Sequence, residues 1–331
     1  MPQYQIPASP LDTAGFVALT KGPFIATLTY IYINCSILLL QFSGIICNGT
    51  IMYMFHKGKH LKKNAALRLL LFVAISDFLY ASSSLPYSIY LTAFTITPPI
   101  NLSPHYIMFS SIPLTLQLKL KLTLTVAIAL QRTLALFFPL LYRKHCSSSF
   151  AIAFLFFGIS LGCIDLYLEF ALSPVVESPN CATIVCFVSD RFRYYWGTSN
   201  MVFGLFIIVF TVMILFKLRF MENRSGLVHA RARKEANRLH QANRTSAGML
   251  LSSLLFIIIP SVAVGLVEMI GYPISRQLGP FYTFGLICAG ACNGIVYVVL
   301  NRDMRELFKS FFIVKSPTST YIFQSRSSAN K

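Results

Sequence analysis

Hydrophobic residues run along this chain in seven long stretches with few charges, separated by shorter segments rich in basic and polar residues. About 20 such residues cross the roughly 30 Å hydrocarbon layer of a membrane as a helix. Backbone groups in lipid must bond within their own segment, so each stretch is expected to be helical. The seven predicted spans are Tyr30–Phe55, Ala66–Phe94, His105–Phe137, Ser149–Leu172, Trp196–Lys217, Ala247–Ile270 and Gly279–Leu300.

The pattern predicts an all-α membrane protein, a seven-helix transmembrane bundle followed by a short amphipathic eighth helix. Residues 1–29 are expected to be an extracellular segment, 30–300 the bundle, 301–312 the amphipathic membrane-surface helix and 313–331 a cytoplasmic tail. Composition agrees, because 55% of residues are hydrophobic and 12% are charged, whereas a soluble domain carries about 25% charged residues. No cleavable secretory signal is recognisable, so the first span is expected to direct insertion.

Basic residues are distributed unequally between the two sets of connections. Of the 28 Lys and Arg residues, 22 fall in the connections of one side and the tail, and 4 fall on the other side. Basic residues are retained on the cytoplasmic side, so the N-terminus is predicted outside and the C-terminus inside. The net charge of +17 is thereby explained without nucleic-acid binding, and it is expected to attract anionic membrane lipids.

Four short motifs stand in order along the spans: Cys47-Asn48-Gly49-Thr50, Ala74-Ile75-Ser76-Asp77, Gln131-Arg132-Thr133 and Asn293-Gly294-Ile295-Val296-Tyr297. Together they resemble the motifs of rhodopsin-like G-protein-coupled receptors over roughly residues 30–312. The third resembles that family's Asp-Arg-Tyr triplet and the fourth its Asn-Pro-x-x-Tyr. Within the family, the chain most resembles the nematode serpentine chemoreceptors, with the Srbc-like group as first choice.

The resemblance implies a role for the inner end of the third and seventh spans. Arg132, with Gln131 before it and Pro139 and Tyr142 after it, is expected to face the cavity where a heterotrimeric G protein docks. The alternative is that Arg132 is an anchor reaching toward the membrane interface. Asn293 and Tyr297 of the seventh span are expected to belong to the same activation switch, the alternative being plain helix packing.

Several family features are missing. No cysteine stands near the outer end of the third span, and the aromatic motif of the sixth span is reduced to a proline, Pro260, which is expected to act as a hinge. The seventh span contains no lysine to hold retinal, which disfavours an opsin. These losses fit a fast-diverging chemoreceptor better than a hormone or amine receptor.

Ionisable residues inside a membrane are costly, and each is a functional hypothesis. In the resembling family, the acid of the second span binds a sodium ion with a small polar residue eleven positions before the third-span arginine. Here those positions are Asp77 and Lys121. We predict that the Lys121 ammonium replaces the sodium ion and pairs with Asp77, close to Asn48. The alternative is that Lys121 faces elsewhere.

Four further ionisable residues are candidates for the ligand pocket: Lys119, Asp165, Glu169 and Glu268. Lys119 lies on a different face of its helix from Lys121. Asp165 and Glu169 are four apart and share a helix face, so they are expected to balance Lys119 or to contact a polar ligand. A wetted helix end is the alternative reading of Glu169 and Glu268.

Cysteine and glycosylation signals give two further expectations for the outer side. Cys181 and Cys186 fall in an outer loop, where oxidation is permitted, and are a candidate disulfide. Asn101 begins the one Asn-x-Ser/Thr sequon predicted to lie outside, and is a candidate glycosylation site.

Taken together, the residues predict a chemosensory receptor in the plasma membrane, and the resemblance implies a sensory cilium. It is expected to bind a small-molecule ligand and to activate a heterotrimeric G protein. A ligand-gated channel or a transporter is the alternative, although the sequence has no internal repeat of the kind that transporters show. No enzyme is expected, because the spans contain no metal motif or nucleophile elbow, and no cofactor is expected.

Overall fold

A computed structural model describes residues 22–58, 65–95, 102–145, 148–177, 184–222, 243–270 and 281–312. Within these ranges, seven helices are long and apolar enough to cross a membrane, and each overlaps one predicted span. The helices are α1 (Gly22–Lys57), α2 (Ala65–Ser83 and Leu85–Thr95), α3 (Pro104–Ser110 and Ile112–Phe137), α4 (Ser148–Leu172), α5 (Asp190–Glu222), α6 (243–253, Leu254–Ile258 and Ile259–Met269), α7 (Phe281–Leu300) and α8 (Arg302–Phe312). The chain is therefore an all-α multi-pass membrane protein, as predicted.

Some helices extend beyond the predicted spans. α1 begins at Gly22, inside the segment 1–29 predicted as extracellular, and α5 begins at Asp190 rather than at Trp196. Hydropathy identifies the part of a helix that lies in lipid, whereas helix ends depend on local caps and charges. Asp190 lies in the first turn of α5, where a negative charge is favourable. Following the predicted orientation, we call the end of the bundle at which α1 and α5 begin the outer end, and the opposite end the inner end.

α3 occupies the centre of the bundle. In its most apolar window 72% of residues are buried, compared with 22% in α4 and in α5. The outward faces of the peripheral helices carry large exposed apolar side chains such as Leu39, Phe156 and Val212. Such faces are typical of contact with lipid, and the buried α3 is the helix around which the others pack.

α2 is broken at Ser84, which the hydropathy pattern did not indicate. Pro86 follows the break and lacks a backbone N–H, so the helix loses one hydrogen bond there. Gln41 of α1 lies beside the break and is fully buried. Its Nε2 donates to the carbonyl of Ala81 at 2.9 Å and to Oγ of Ser84 at 2.7 Å. A side chain of α1 therefore satisfies polar groups at the break in α2.

α6 contains a π-helical turn, Leu254–Ile258, directly before Pro260. Because Pro260 has no N–H, the carbonyl of Phe256, four residues earlier, loses its usual helical donor. That carbonyl oxygen lies against Gly285 of α7, so closely that a Cβ atom on Gly285 would overlap it. The helix distortion at Pro260, where a hinge was predicted, therefore packs against Gly285 of the neighbouring helix.

α8 follows α7 after one intervening residue, Asn301. The Asn301 side chain accepts a hydrogen bond from the N–H of Met304 at 3.2 Å, which is the geometry of a helix N-cap. Met304 is fully buried, while Arg302 and Glu306 are exposed and form an ion pair. The hydrogen bond from Arg302 lowers the pKa of the Glu306 carboxyl. α8 has the apolar and charged faces expected of an amphipathic helix.

The close approach of α6 and α7 gives a prediction. Gly285→Ala should destabilise the purified protein by roughly 1–3 kcal/mol, the usual cost of overpacking, because the new methyl group meets a backbone atom that cannot rotate away. Gly44→Ala is the control, since its Cβ would have Ala81 as nearest neighbour at an ordinary 3.9 Å. The measurement is thermal unfolding in detergent. Equal unfolding temperatures for the two variants would contradict the account.

Candidate functional site

A first charged cluster joins α2, α3 and α7 at mid-bundle. Nζ of Lys121 forms an ion pair with the Asp77 carboxylate and lies 2.6 Å from its Oδ1. Nε2 of Gln117 donates to the same oxygen at 2.9 Å, and Asn293 of α7 lies close enough to interact with Asp77. Lys121 and Asp77 are only 1% and 3% exposed, so each depends on the other for neutralisation. The predicted contact between the second-span acid and Lys121 is present.

Neighbouring polar groups extend this first cluster to α1 and α6. Nδ2 of Asn48 donates to the carbonyl of Gly290 at 3.3 Å. Gly290 leaves room for Asp77, whose Cγ would lie 3.3 Å from a Cβ at that position. Oγ of Ser252 in α6 donates to Oδ1 of Asn293 at 2.7 Å. Asn48, predicted to lie close to the Asp77–Lys121 pair, is therefore part of this cluster together with Asn293, and five helices contribute to it.

A second charged cluster joins α3, α4 and α5. Nζ of Lys119 lies 3.1 Å from Oδ2 of Asp165, and both side chains are almost fully buried. The same ammonium donates to Ser199 and to Asn200, each at 2.8 Å. The Tyr195 hydroxyl donates to Oδ1 of Asp165 at 2.9 Å. Of the two acids considered for Lys119, Asp165 is the partner.

Glu169 lies one turn further along α4, in a different environment. Its Oε2 accepts a hydrogen bond from the Thr115 hydroxyl of α3 at 2.7 Å. The residue is 1% exposed, so it is not a wetted helix end. Glu268 lies in α6, and its side chain is outside the described residues.

A cavity lies at the outer end of the bundle, between α3, α4, α5, α6 and α7 and beside the Ile184–Cys186 turn. We call it the outer cavity. It has about 30 Å³ available to the centre of a water molecule, which is room for about two waters. Its lining is mostly apolar and includes Glu169, Arg193, Trp196 and Tyr282. Of the three candidate pocket residues whose side chains the structure describes, Glu169 lies on this wall, whereas Lys119 and Asp165 do not.

At the opposite, inner end, Arg132 is 2% exposed and its Nε donates to Oγ of Ser246 in α6 at 2.8 Å. Gln131 is also buried, and neither of its amide atoms has a hydrogen-bond partner among the described residues. Tyr297 of α7 is buried against Phe55, with ring centroids 6.0 Å apart. The inner end is therefore closed over Arg132, which does not reach outward as an interfacial anchor would.

The other predicted residues lie around this core. Pro139 begins the short helix Pro139–His145 and is exposed, and Tyr142 in that helix is half-buried. Cys186 is disulfide-bonded, and Cys181 lies outside the described residues, as does Asn101. The pairing of Cys181 with Cys186 and the glycosylation of Asn101 stay predictions.

Several contributing residues were not identified from the sequence. Gln117 lies four residues before Lys121, so helical spacing alone placed it on the same face. Arg193 and Trp196 are three apart at the start of α5, but the fifth span was predicted to begin at Trp196, which left Arg193 in the preceding connection. Nothing in the sequence marks Ser246 as a functional residue, because serines are common near helix ends and its partner Arg132 is 114 residues away in the chain.

The fold and the buried charges define a class: a seven-helix serpentine membrane protein with a polar interior and a cavity at one end. A family model described as Serpentine type 7TM GPCR chemoreceptor Srbc matches residues 25–303. The chain therefore belongs to the Srbc family of serpentine chemoreceptors, as its motifs predicted. This is a receptor family rather than an enzyme family. No curated protein matches the chain.

The first ion pair gives a prediction. Asp77→Lys and Lys121→Asp should each reduce the amount of protein at the cell surface, because an unpaired buried charge costs about 3–5 kcal/mol. The double exchange restores one acid and one base and should recover the surface level. The surface level of each variant is measured by flow cytometry of a tagged receptor. If the exchange is no better than the single variants, the pair is not a stabilising unit.

Proposed function

We propose that this chain is a chemosensory receptor that binds a small external ligand in the outer cavity and activates a heterotrimeric G protein through its inner end. The single observation that supports this best is the position of Arg132. It is buried and bonded to Ser246 of α6 at 2.8 Å, as expected of a docking site that is closed in one state and open in another. Membership of the Srbc family supports the receptor class.

The proposed orientation has the N-terminus outside and the C-terminus inside, in the plasma membrane and, for a chemoreceptor, in a sensory cilium. It rests on the distribution of basic residues, 22 against 4, and on the rule that such residues stay in the cytoplasm. α8 would then lie on the inner leaflet. Its exposed Arg302, Arg305 and Lys309 would contact anionic lipids.

The outer cavity suits a ligand-driven change. With room for about two waters, it must widen to take a larger molecule, and five helices line or border it. A ligand that binds the widened arrangement more tightly shifts the population toward it. α6 reaches from Val264 in the cavity wall to Ser246 beside Arg132. Movement of α6 would therefore connect the two ends.

The test is a calcium response to a panel of small chemicals in cells that express the full chain with a promiscuous G protein. We expect a ligand-dependent response that disappears without the G protein and weakens in Arg132→Ala at an unchanged surface level. A current or flux that persists without any G protein would instead indicate a ligand-gated channel or transporter.

Basal signalling in the same cells tests the Arg132–Ser246 bond. Ser246→Ala removes one hydrogen bond to a charged group, worth about 1.5–3 kcal/mol, and should raise basal signalling several-fold by favouring the open arrangement. Ser261→Ala is the matched control, because Ser261 is buried in the same helix and its hydroxyl has no partner among the described residues. Equal basal signals in both variants would argue against the closed inner end.

A further inference from the structure

Arg193 has unused hydrogen-bonding capacity in the wall of the outer cavity. It is 6% exposed, and its Nη2 is paired with the exposed carboxylate of Asp190. Nε and Nη1 of the guanidinium are buried without a hydrogen-bond partner among the described residues. A buried donor left unpaired costs free energy, and more so on a charged group. Two charged donors on this wall therefore have no partner within the described part of the chain.

Trp196 adds a third donor on the same wall. It lies three residues after Arg193 on α5, so the two side chains share a helix face. Its ring packs against Phe192 and Tyr282, with centroids 6.0 Å and 4.9 Å away, which fixes its position. The indole Nε1 is buried and has no acceptor among the described residues. Both residues line the outer cavity.

The donors select the chemistry of a ligand. A guanidinium is a planar fork that matches the two oxygens of a carboxylate, and such charge-assisted bonds are about twice as strong as neutral ones. The rest of the lining is largely apolar, with Leu114, Val188 and Val264 among its residues. The wall thus presents a cation and an indole N–H to an otherwise apolar space.

Glu169 lies on the same cavity wall and would favour the opposite ligand, an amine. One of its carboxyl oxygens is already engaged by Thr115 at 2.7 Å. The guanidinium and indole, by contrast, together have three donor nitrogens with no partner in the described ranges. The number of unsatisfied groups therefore favours an acceptor-bearing ligand.

We propose that the outer cavity binds a small apolar carboxylate, whose oxygens accept hydrogen bonds from the Arg193 guanidinium and from Nε1 of Trp196. This rests on the proposed function, which makes the outer cavity the ligand site. It adds the chemical class of the ligand and the two residues that recognise it.

The experiment measures thermal unfolding of the purified full-length chain in detergent with straight-chain carboxylates from propanoate to octanoate. The primary alcohol and primary amine of each chain length serve as comparisons. A ligand that binds only the folded state raises the unfolding temperature saturably. We expect at least one carboxylate to do so, with its matched alcohol and amine weaker by about tenfold or more, the effect of losing one charge-assisted bond.

Substitutions then assign the contact. Arg193→Gln should weaken carboxylate binding by about tenfold or more, and Trp196→Phe, which keeps an aromatic ring, should weaken it several-fold. Arg193→Lys keeps the charge without the planar fork and should fall between wild type and Arg193→Gln. Arg191→Gln is the matched control, because Arg191 is exposed on the same helix and its loss should change nothing. Asp190→Asn should also keep carboxylate binding, since it removes the partner of Nη2 and leaves the guanidinium.

Three results would overturn the proposal. One is that no carboxylate stabilises the protein more than its matched alcohol. Another is wild-type affinity in Arg193→Gln. The third is stabilisation by an amine that is lost in Glu169→Gln. Because unfolding is measured without a G protein, carboxylate binding without signalling would contradict the proposed function alone, whereas signalling evoked only by amines would contradict this inference alone.

Discussion

The arrangement of this bundle depends on neutralising two lysines in the middle of its central helix. Lys119 and Lys121 are 2% and 1% exposed, and an unpaired charge at such a position costs several kcal/mol. Because they are two residues apart, they project from different faces of α3. Lys121 reaches Asp77 of α2 and Lys119 reaches Asp165 of α4. The two ion pairs therefore fix α3 between its neighbours and determine both its depth and its rotation.

This constraint places the functional ends of the protein on one helix. Two residues of α3 lie on either side of the ion pairs. Thr115 bonds Glu169 at the outer cavity, and Arg132 lies at the inner end. α3 cannot slide without breaking both pairs, so a change of state is easier to place in α6. That helix contains a π-helical turn and Pro260, and its Ser246 hydroxyl accepts a hydrogen bond from Nε of Arg132. In the proposed receptor, α3 is the fixed element and α6 the movable one.

The sequence was sufficient where the physical signal is local or periodic. The spans follow from hydropathy, and the contact of Lys121 with Asp77 follows from the resemblance to a family whose second-span acid shares a site with the residue eleven positions before the third-span arginine. The sequence was insufficient where the answer depends on how helices approach each other. Asp165 and Glu169 lie on the same face of α4. Only the position of α3 determines that Asp165 forms the ion pair with Lys119 and that Glu169 accepts the hydrogen bond from Thr115. Arg193 fell outside the fifth span, which was predicted to begin at Trp196, yet the helix begins at Asp190 and Arg193 is buried beside a cavity.

The most direct test of this account compares double variants that remove one acid and one lysine, in matched or mismatched combinations. The matched doubles are Asp77→Asn with Lys121→Met and Asp165→Asn with Lys119→Met, and the mismatched doubles exchange the two lysine changes. All four remove one acid and one base, but each mismatched double leaves one buried acid and one buried lysine without their partners. Surface level and thermal unfolding are measured for each. The account predicts that the matched doubles stay close to wild type and the mismatched doubles are strongly impaired, whereas equal behaviour of the two kinds would show that α3 is not held by these specific pairs.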